Sequence, residues 1–432
     1  MRNRKKVLII SIALLLALCL ALCACVSQPS SSEWVKSVID AYYYTDVEIT
    51  DADSLSPDEM VSKYLDKYSR YYTAEEFMEL SYENAGNSIS YGMGMVFYPF
   101  AGAVVVSCTG NSPAWKHGVR AGDIITYAVI DGERVMLDSY EDYMAFINGS
   151  SEGKVSAYIL SDGTMIPLES YSAYKQSYVL LATASSAWTF TNNGLTMAQS
   201  NRDVITYLPE GTAYLSLNEF SGDAAMQFKL AVEKINALGC DRLILDLRSN
   251  PGGDLNVLTE IAGCFPAVAG KEALSSKGKA VDESYSAVVQ EEKYTLSSDT
   301  ELFVMANSQT ASASEALIGA LVGNGALAYE NIFLSSYSYD YMESSGEGAK
   351  TGQTYGKGCM QYIISNTSTG EALSLTAAIL YWPNGKCIND VGITAADGCR
   401  LLSAPYPSYA VNTEVEQLVN IISSQSAEAL AA

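Results

Sequence analysis

Two stretches constrain the fold most, because each joins a short apolar run, a tight turn and a helix-patterned segment. "RLILDLR" (242–248) is followed by "SNPGG" (249–253) and then "DLNVLTEIAGCF", which places Leu255, Leu258, Ala262 and Phe265 on one helical face. "LFVMAN" (302–307) is followed by "SQTASASEAL" (308–317) and the helical pattern "SEALIGALVG". Successive strand-turn-helix units of this kind read as parallel strands of one α/β sheet, since right-handed crossovers bring both helix N-termini to the same sheet edge. Gly252, Gly253 and Ser312 are then expected to be neighbours. Backbone N–H groups at a helix start and in a glycine turn can receive a developing oxyanion. Taken singly, "NPGG" is only a turn, and Ser312 with Glu315 is an S-x-x-E capping box.

Whether a serine there does chemistry depends on a base. The chain has one histidine, His117, far upstream, so a Ser-His-Asp triad is not expected. A lysine amine can activate a serine hydroxyl if it is neutral. Moving a lysine from about 10.4 to about 7–8 takes roughly 4 kcal/mol of environmental bias, which an apolar pocket must supply against the acidity of the chain. The segment "YGKGCMQ" (355–361) offers one. Read as a strand, it sets Lys357, Cys359 and Gln361 on one face, with the Gln361 amide able to orient Lys357. By itself the segment reads more readily as a solvated lysine in a glycine-flanked turn than as a base.

With 432 residues and 48% apolar content, the chain should form two or three domains. Its net charge of −23 excludes nucleic acid as a partner. Arg2, Arg4, Lys5 and Lys6 precede an apolar run ending in small residues, so residues 1–25 read as an export signal. "LCAC" resembles a bacterial lipoprotein box, which makes Cys25 the expected lipidation site. The alternative is an uncleaved membrane anchor. Either reading puts the rest of the chain on the extracytoplasmic face of the bacterial membrane. Six cysteines follow Cys25, widely spaced and without a C-x-x-C pair, which suggests no metal site but leaves room for a disulfide or two. Residues 26–88 read as a tether and a helical region, with Ser56-Pro57 as a helix start. Residues 89–170 read as short alternating strands, 171–405 as the mixed core, and 406–432 as a terminal helix.

In this order, "LILDLRSNPGG", "TASASEALIGAL" and "YGKGCMQ" resemble the C-terminal processing peptidases, the S41-type Ser/Lys endopeptidases also called tail-specific proteases. The resemblance extends to "YLDKYSRYYTAEEF", "GTAYLSLNEF" and "ALSLTAAILYWPNGKCINDVGI". It implies an α/β fold with a ClpP/crotonase-like catalytic core (171–405), a PDZ domain at 89–170 and an N-terminal helical segment. "YGMGMVF" is similar to the PDZ carboxylate-binding loop, with Gly92, Met93 and Gly94 holding a peptide C-terminus while its last residues add a strand. Carried over by residue, Ser312 is the nucleophile, Lys357 its base, Gln361 the residue that positions the lysine, and the N–H groups of Gly252 and Ala313 the oxyanion hole. No metal or cofactor is implied, and the partners are protein or peptide substrates and, through the lipid, the membrane.

Ser312 and Lys357 lie further apart in sequence than is usual in that family. The excess falls in "NIFLSSYSYDYMESSGEGAKTG", read as an insertion at about 331–352. "SAYK", "SLN" and "KTG" sketch a β-lactamase-like set, but the first lies in a strand-like run and the last inside the insertion. A nonenzymatic alternative is a lipoprotein that keeps the PDZ domain and only binds peptides.

Overall fold

The computed structural model describes residues 29–83, 89–90, 93–99, 103–120, 122–139, 141–142, 154–168, 174–191, 194–198, 201–335, 352–403 and 410–431. Cys25, Gly92 and most of the expected insertion therefore lie outside the described residues. The chain divides into two compact units. One comprises residues up to Ser81 with Gly278–Ala280 and Gln361–Ala377, and the other comprises Tyr82–Lys277, Val281–Met360 and Ala378–Ala432.

In the first unit, the helices Ser31–Tyr42 and Pro57–Tyr64 start as local sequence chemistry dictates. Ser56 accepts the Glu59 N–H at 3.3 Å while Glu59 accepts the Ser56 N–H at 2.8 Å, and Pro57 loses no hydrogen bond in the first turn. These helices bury Val35, Ile39, Met60 and Val61 with Leu373 and Leu375, and Arg70–Tyr72 pairs antiparallel with 372–374.

The second unit is built on an eight-stranded sheet. Its strands are β1 (Val179–Ala182), β2 (Ala187–Thr191), β3 (Gly194–Met197), β4 (Thr212–Leu217), β5 (Arg242–Asp246), β6 (Glu301–Ala306), β7 (Ile332–Ser335) and β8 (Arg400–Leu402). The spatial order is β3-β2-β1-β4-β5-β6-β7-β8, antiparallel from β3 to β4 and parallel from β4 to β8. Its parallel half is apolar on both faces, as a sheet covered by helices on both sides requires. Leu243 and Leu245 of β5 and Val304 of β6 face α1 (Ala224–Leu238), α2 (Leu255–Ala262) and α3 (Ala313–Gly323). The alternate residues Ile244, Phe303 and Met305 face α4 (Ala410–Ala431) through Val415, Leu418 and Ile422.

Ile332–Ser335, assigned to the insertion on sequence, is instead a strand of the central sheet, Val304 pairing with Ile332 and Ala306 with Leu334. Its run is short and is followed directly by polar and aromatic residues, which masked its apolar pattern. The Gly352 N–H donates to the Ser335 carbonyl at 2.9 Å, which sets these two residues side by side at the end of β7. The room that the sequence leaves for a disulfide is not used among the described residues, where Cys108, Cys240, Cys264, Cys359, Cys387 and Cys399 form none.

Six strands, the first Met95–Pro99 and the last Met165–Pro167, form a separate sheet that carries the short helix Pro113–Lys116, which His117 caps at its C-terminal end. Two reciprocal ion pairs join this sheet region to the 3₁₀ turn Asn201–Asp203. Arg120 binds Asp203 through Nε at 2.5 Å and Nη2 at 2.7 Å, and Arg202 binds Asp123 at 2.5 Å. The Asp203 side chain is only 1% exposed, whereas that of Arg202 is 48% exposed. Removing one partner of a buried pair leaves an uncompensated charge, while exposed pairs contribute little. Arg120→Ala is therefore expected to cost about 3 kcal/mol in urea unfolding and Arg202→Ala less than about 1 kcal/mol. Equal losses would contradict this assignment.

Candidate active site

Three loops leave the C-terminal ends of β4, β5 and β6 and meet at one edge of the sheet. Asn250 Nδ2 donates to the Leu217 carbonyl at 2.8 Å, the Ser249 N–H to Asn307 Oδ1 at 2.8 Å, and the Phe220 N–H to the Gly252 carbonyl at 2.8 Å. The Asn250 carbonyl accepts from the Ala311 N–H at 3.0 Å and from Ser314 Oγ at 3.1 Å. The glycine turn and the start of α3 are thus pinned to each other. A Cβ built on Gly252 would lie 2.8 Å from the Ser312 Cβ and 2.7 Å from the Ala313 nitrogen, and Gly252 has φ +99°. Only glycine fits there.

These contacts separate the hydroxyls of the serine segment by what they already do. Thr310 Oγ1 donates to the Leu247 carbonyl and Ser314 Oγ to Asn250, both fully buried. Ser312 remains partly exposed at the N-cap of α3, with φ +56° and ψ −117°. For a non-glycine residue that conformation costs on the order of 1–3 kcal/mol and persists only where surrounding contacts impose it.

The contact that imposes it is Glu315, which is fully buried one turn into α3. Its Oε2 accepts the Ser312 N–H and the Lys357 N–H, each at 3.0 Å, and its Oε1 accepts Thr354 Oγ1 at 2.5 Å and the Gly356 N–H at 2.8 Å. Two amides that each lie 3.0 Å from one carboxylate oxygen are within twice that distance of each other. Ser312 and Lys357, 45 positions apart in sequence, are therefore brought together at one carboxylate. The lysine segment is backed by residues 388–394. Thr354 N–H and Oγ1 bond Ile393, the Gly356 carbonyl accepts the Asp390 N–H at 2.8 Å, and the Gly358 N–H donates to Asn389 Oδ1 at 3.1 Å.

Other expected site residues stand as follows. Lys357 is partly buried and precedes the strand Cys359–Ser365 rather than lying in it, because the backbone of 354–357 is committed to Glu315, Thr310 and Ile393. Gln361 lies in the other compact unit, where its Nε2 donates to Thr376 Oγ1 at 3.3 Å. The Gly252 N–H donates to Asn250 Oδ1 at 2.9 Å, whereas the Ala313 and Gly253 N–H groups have no acceptor among the described residues. Met93 is a core residue whose carbonyl accepts the Ala114 N–H at 3.0 Å. Gly94, at φ +68°, packs where a Cβ would meet Ser112. Among the described residues no group of three or more His, Cys, Asp or Glu side chains is arranged to hold a metal, and no helix is long and apolar enough to cross a membrane. Sequence reasoning saw Glu315 only as a local cap. The S-x-x-E spacing was its one visible signal, and its reach to Thr354, Gly356 and Lys357 exists only in three dimensions.

Residues 211–327, which span β4 to β6, α1 to α3 and Ser312, match the family model described as Peptidase family S41. A carboxyl-terminal-processing protease of Picosynechococcus sp. is 27% identical over 348 residues, covering 78% of this chain and 70% of that relative. A protein of Staphylococcus epidermidis named as a CtpA-like serine protease is 24% identical over 396 residues, covering 90% and 67%. In fold, the chain is similar to a Bacteroides fragilis structure described as an S41 protease, at a TM-score of 0.58 with 12% identity, covering 92% of this chain and 98% of that one.

Burial pushes the Glu315 carboxyl up to about 7, against the opposing pull of the hydrogen bonds from Thr354, Gly356, Ser312 and Lys357. Its folded-state value thus lies above the ordinary 4.5, so its contribution to stability is complete below about 4.5 and is lost as pH rises through about 7. In urea unfolding at several pH values, wild type is expected to lose roughly 3 kcal/mol relative to Glu315→Gln across that window. A difference independent of pH would overturn this.

Proposed function

We propose, for a chain that belongs to peptidase family S41 and is a serine-type peptidase, that Ser312 and Lys357 form a Ser/Lys dyad that hydrolyses peptide bonds in protein or peptide substrates. The observation that carries the reading is the shared carboxylate. One buried oxygen of Glu315 accepts both the Ser312 and the Lys357 N–H, so the segments bearing a nucleophile and an amine base are fixed beside the glycine turn.

In the proposed reaction, Ser312 Oγ attacks the scissile carbonyl carbon as its proton passes to neutral Lys357 Nζ. The resulting oxyanion is received by the Ala313 N–H and by the glycine turn, where Gly252 shares or exchanges its Asn250 acceptor. The C–N bond then breaks as Lys357 Nζ passes the proton to the departing amine, and water next attacks the acyl carbon while Lys357 Nζ takes its proton and delivers it to Ser312 Oγ as the ester bond breaks. Gln361 is proposed to position Lys357.

The second-unit sheet at 95–167 supports a PDZ-like reading in which the loop around Gly92, Met93 and Gly94 takes a substrate's C-terminal carboxylate. The sheet of β4 to β8 with its flanking helices supports a ClpP/crotonase-like core. The charged start, apolar run and "LCAC" of residues 1–25 support a lipid anchor at Cys25 and a location on the extracytoplasmic membrane face.

Hydrolysis of an unfolded protein such as casein by wild type, Ser312→Ala and Lys357→Ala is the test. Both variants are expected to lose at least about 10³-fold in kcat/KM while retaining their folds. Turnover unchanged in either would rule out the dyad, and peptide binding without wild-type turnover would favour a binding module. Gly252→Ala, which drives a methyl group into Ala311, Ser312 and Ala313, is expected to lower kcat by about 10²-fold. Wild-type kcat in that variant would remove the turn from the mechanism.

A further inference from the structure

Arg248 occupies the position just before the glycine turn, and its guanidinium lies buried between two carboxylates. Nε contacts Asp246 Oδ1 at 3.0 Å and Oδ2 at 3.1 Å, Nη2 contacts Asp246 Oδ2 at 2.6 Å, and Nη1 contacts Glu414 Oε2 at 2.7 Å. The Arg248 side chain is 7% exposed and that of Glu414 2%. Tyr214 on β4 donates its hydroxyl to Asp246 Oδ2 at 2.6 Å, closing the cluster from the next strand. Glu414 belongs to α4, which otherwise meets the sheet through Val415, Leu418, Val419 and Ile422. Its second oxygen, Oε1, is buried with no hydrogen-bond partner among the described residues.

An apolar helix face needs no buried carboxylate to dock. Replacing a buried ion pair with packed apolar side chains is often neutral or stabilising, so stability alone gives no reason for Glu414 to be there. Geometry supplies one. The residue after Arg248 is Ser249, held at φ +59°, and four residues after Arg248 comes Gly252, the first glycine of the turn. Arg248 is the side chain through which the strained turn is tied to α4, on the face of the sheet opposite α3.

We propose that Glu414 is a positioning residue for hydrolysis, acting through Arg248 to hold the Ser249–Gly253 turn in register with the helix start that carries Ser312. This rests on the Ser312 mechanism proposed above. With Glu414 neutralised, Arg248 loses its charged tie to α4 and the turn gains freedom where the oxyanion must be met, which costs rate rather than substrate affinity.

The test is steady-state peptide hydrolysis by the full-length protein, with wild type, Ser312→Ala, Glu414→Gln, Glu414→Asp and Val415→Ala compared per folded molecule at a temperature well below each midpoint. Glu414→Gln is expected to lower kcat at least about tenfold with KM within about twofold, and Glu414→Asp, which keeps the charge, to recover part of that loss. Val415→Ala, which loosens the same helix but spares the ion pair, is expected to keep wild-type kcat. Arg248→Lys combined with Glu414→Gln is expected to be no slower than the worse single variant, since both act through one contact. Wild-type kcat in Glu414→Gln, with Ser312→Ala inactive, overturns this inference and leaves the dyad standing. Activity in Ser312→Ala overturns both. Should Glu414→Gln fail to fold, Glu414→Asp decides by the same split between kcat and KM.

Discussion

The site depends on one buried carboxylate. Glu315 accepts four hydrogen bonds with its two oxygens, from the Ser312, Gly356 and Lys357 amides and the Thr354 hydroxyl. A carboxylate removed from water this completely requires all its acceptor sites to be met. The donors meeting them come from two segments, one carrying Ser312 and the other Lys357. The same contacts hold Ser312 in a backbone conformation that it would not adopt unaided. The position of Glu315 in the first turn of α3 adds the favourable interaction of negative charge with a helix N-terminus.

Around that carboxylate the parallel sheet acts as a register device. Ser216, Asp246 and Met305 stand side by side on β4, β5 and β6, so the loops that follow begin level with one another. Asn250, fully buried, then ties the turn after β5 to β4 on one side and to the start of α3 on the other. On the opposite face, Asp246, Arg248 and Glu414 anchor the same turn to α4. The proposed site of hydrolysis thereby sits on backbone fixed from three directions.

Much of this was legible in sequence where the signal is local. Leu243, Leu245 and Leu247 before "SNPGG" announced a buried strand and a turn, and the S-x-x-E spacing announced a helix start at Ser312. What stayed hidden was tertiary. Ile332–Ser335 looked like part of an insertion because its four residues, three of them apolar, are legible as a strand only once β6 lies beside them. Lys357 looked like a strand residue by alternation, yet hydrogen bonds to Glu315 and Ile393 hold its segment outside the ladder. The pairing of Arg248 with Glu414, 166 positions apart, has no sequence signature at all.

The central claim is that Glu315 assembles the nucleophile by holding Ser312 and Lys357 on one carboxylate. The most direct measurement is the rate at which a fluorophosphonate phosphonylates the protein with loss of fluoride, followed by intact mass and peptide mapping, in wild type and Glu315→Gln. The account predicts a single adduct on Ser312 in wild type and a rate at least about 10²-fold lower in folded Glu315→Gln, whose amide nitrogen would face N–H or O–H donors. Equal rates, or an adduct mapping to another residue, would contradict it.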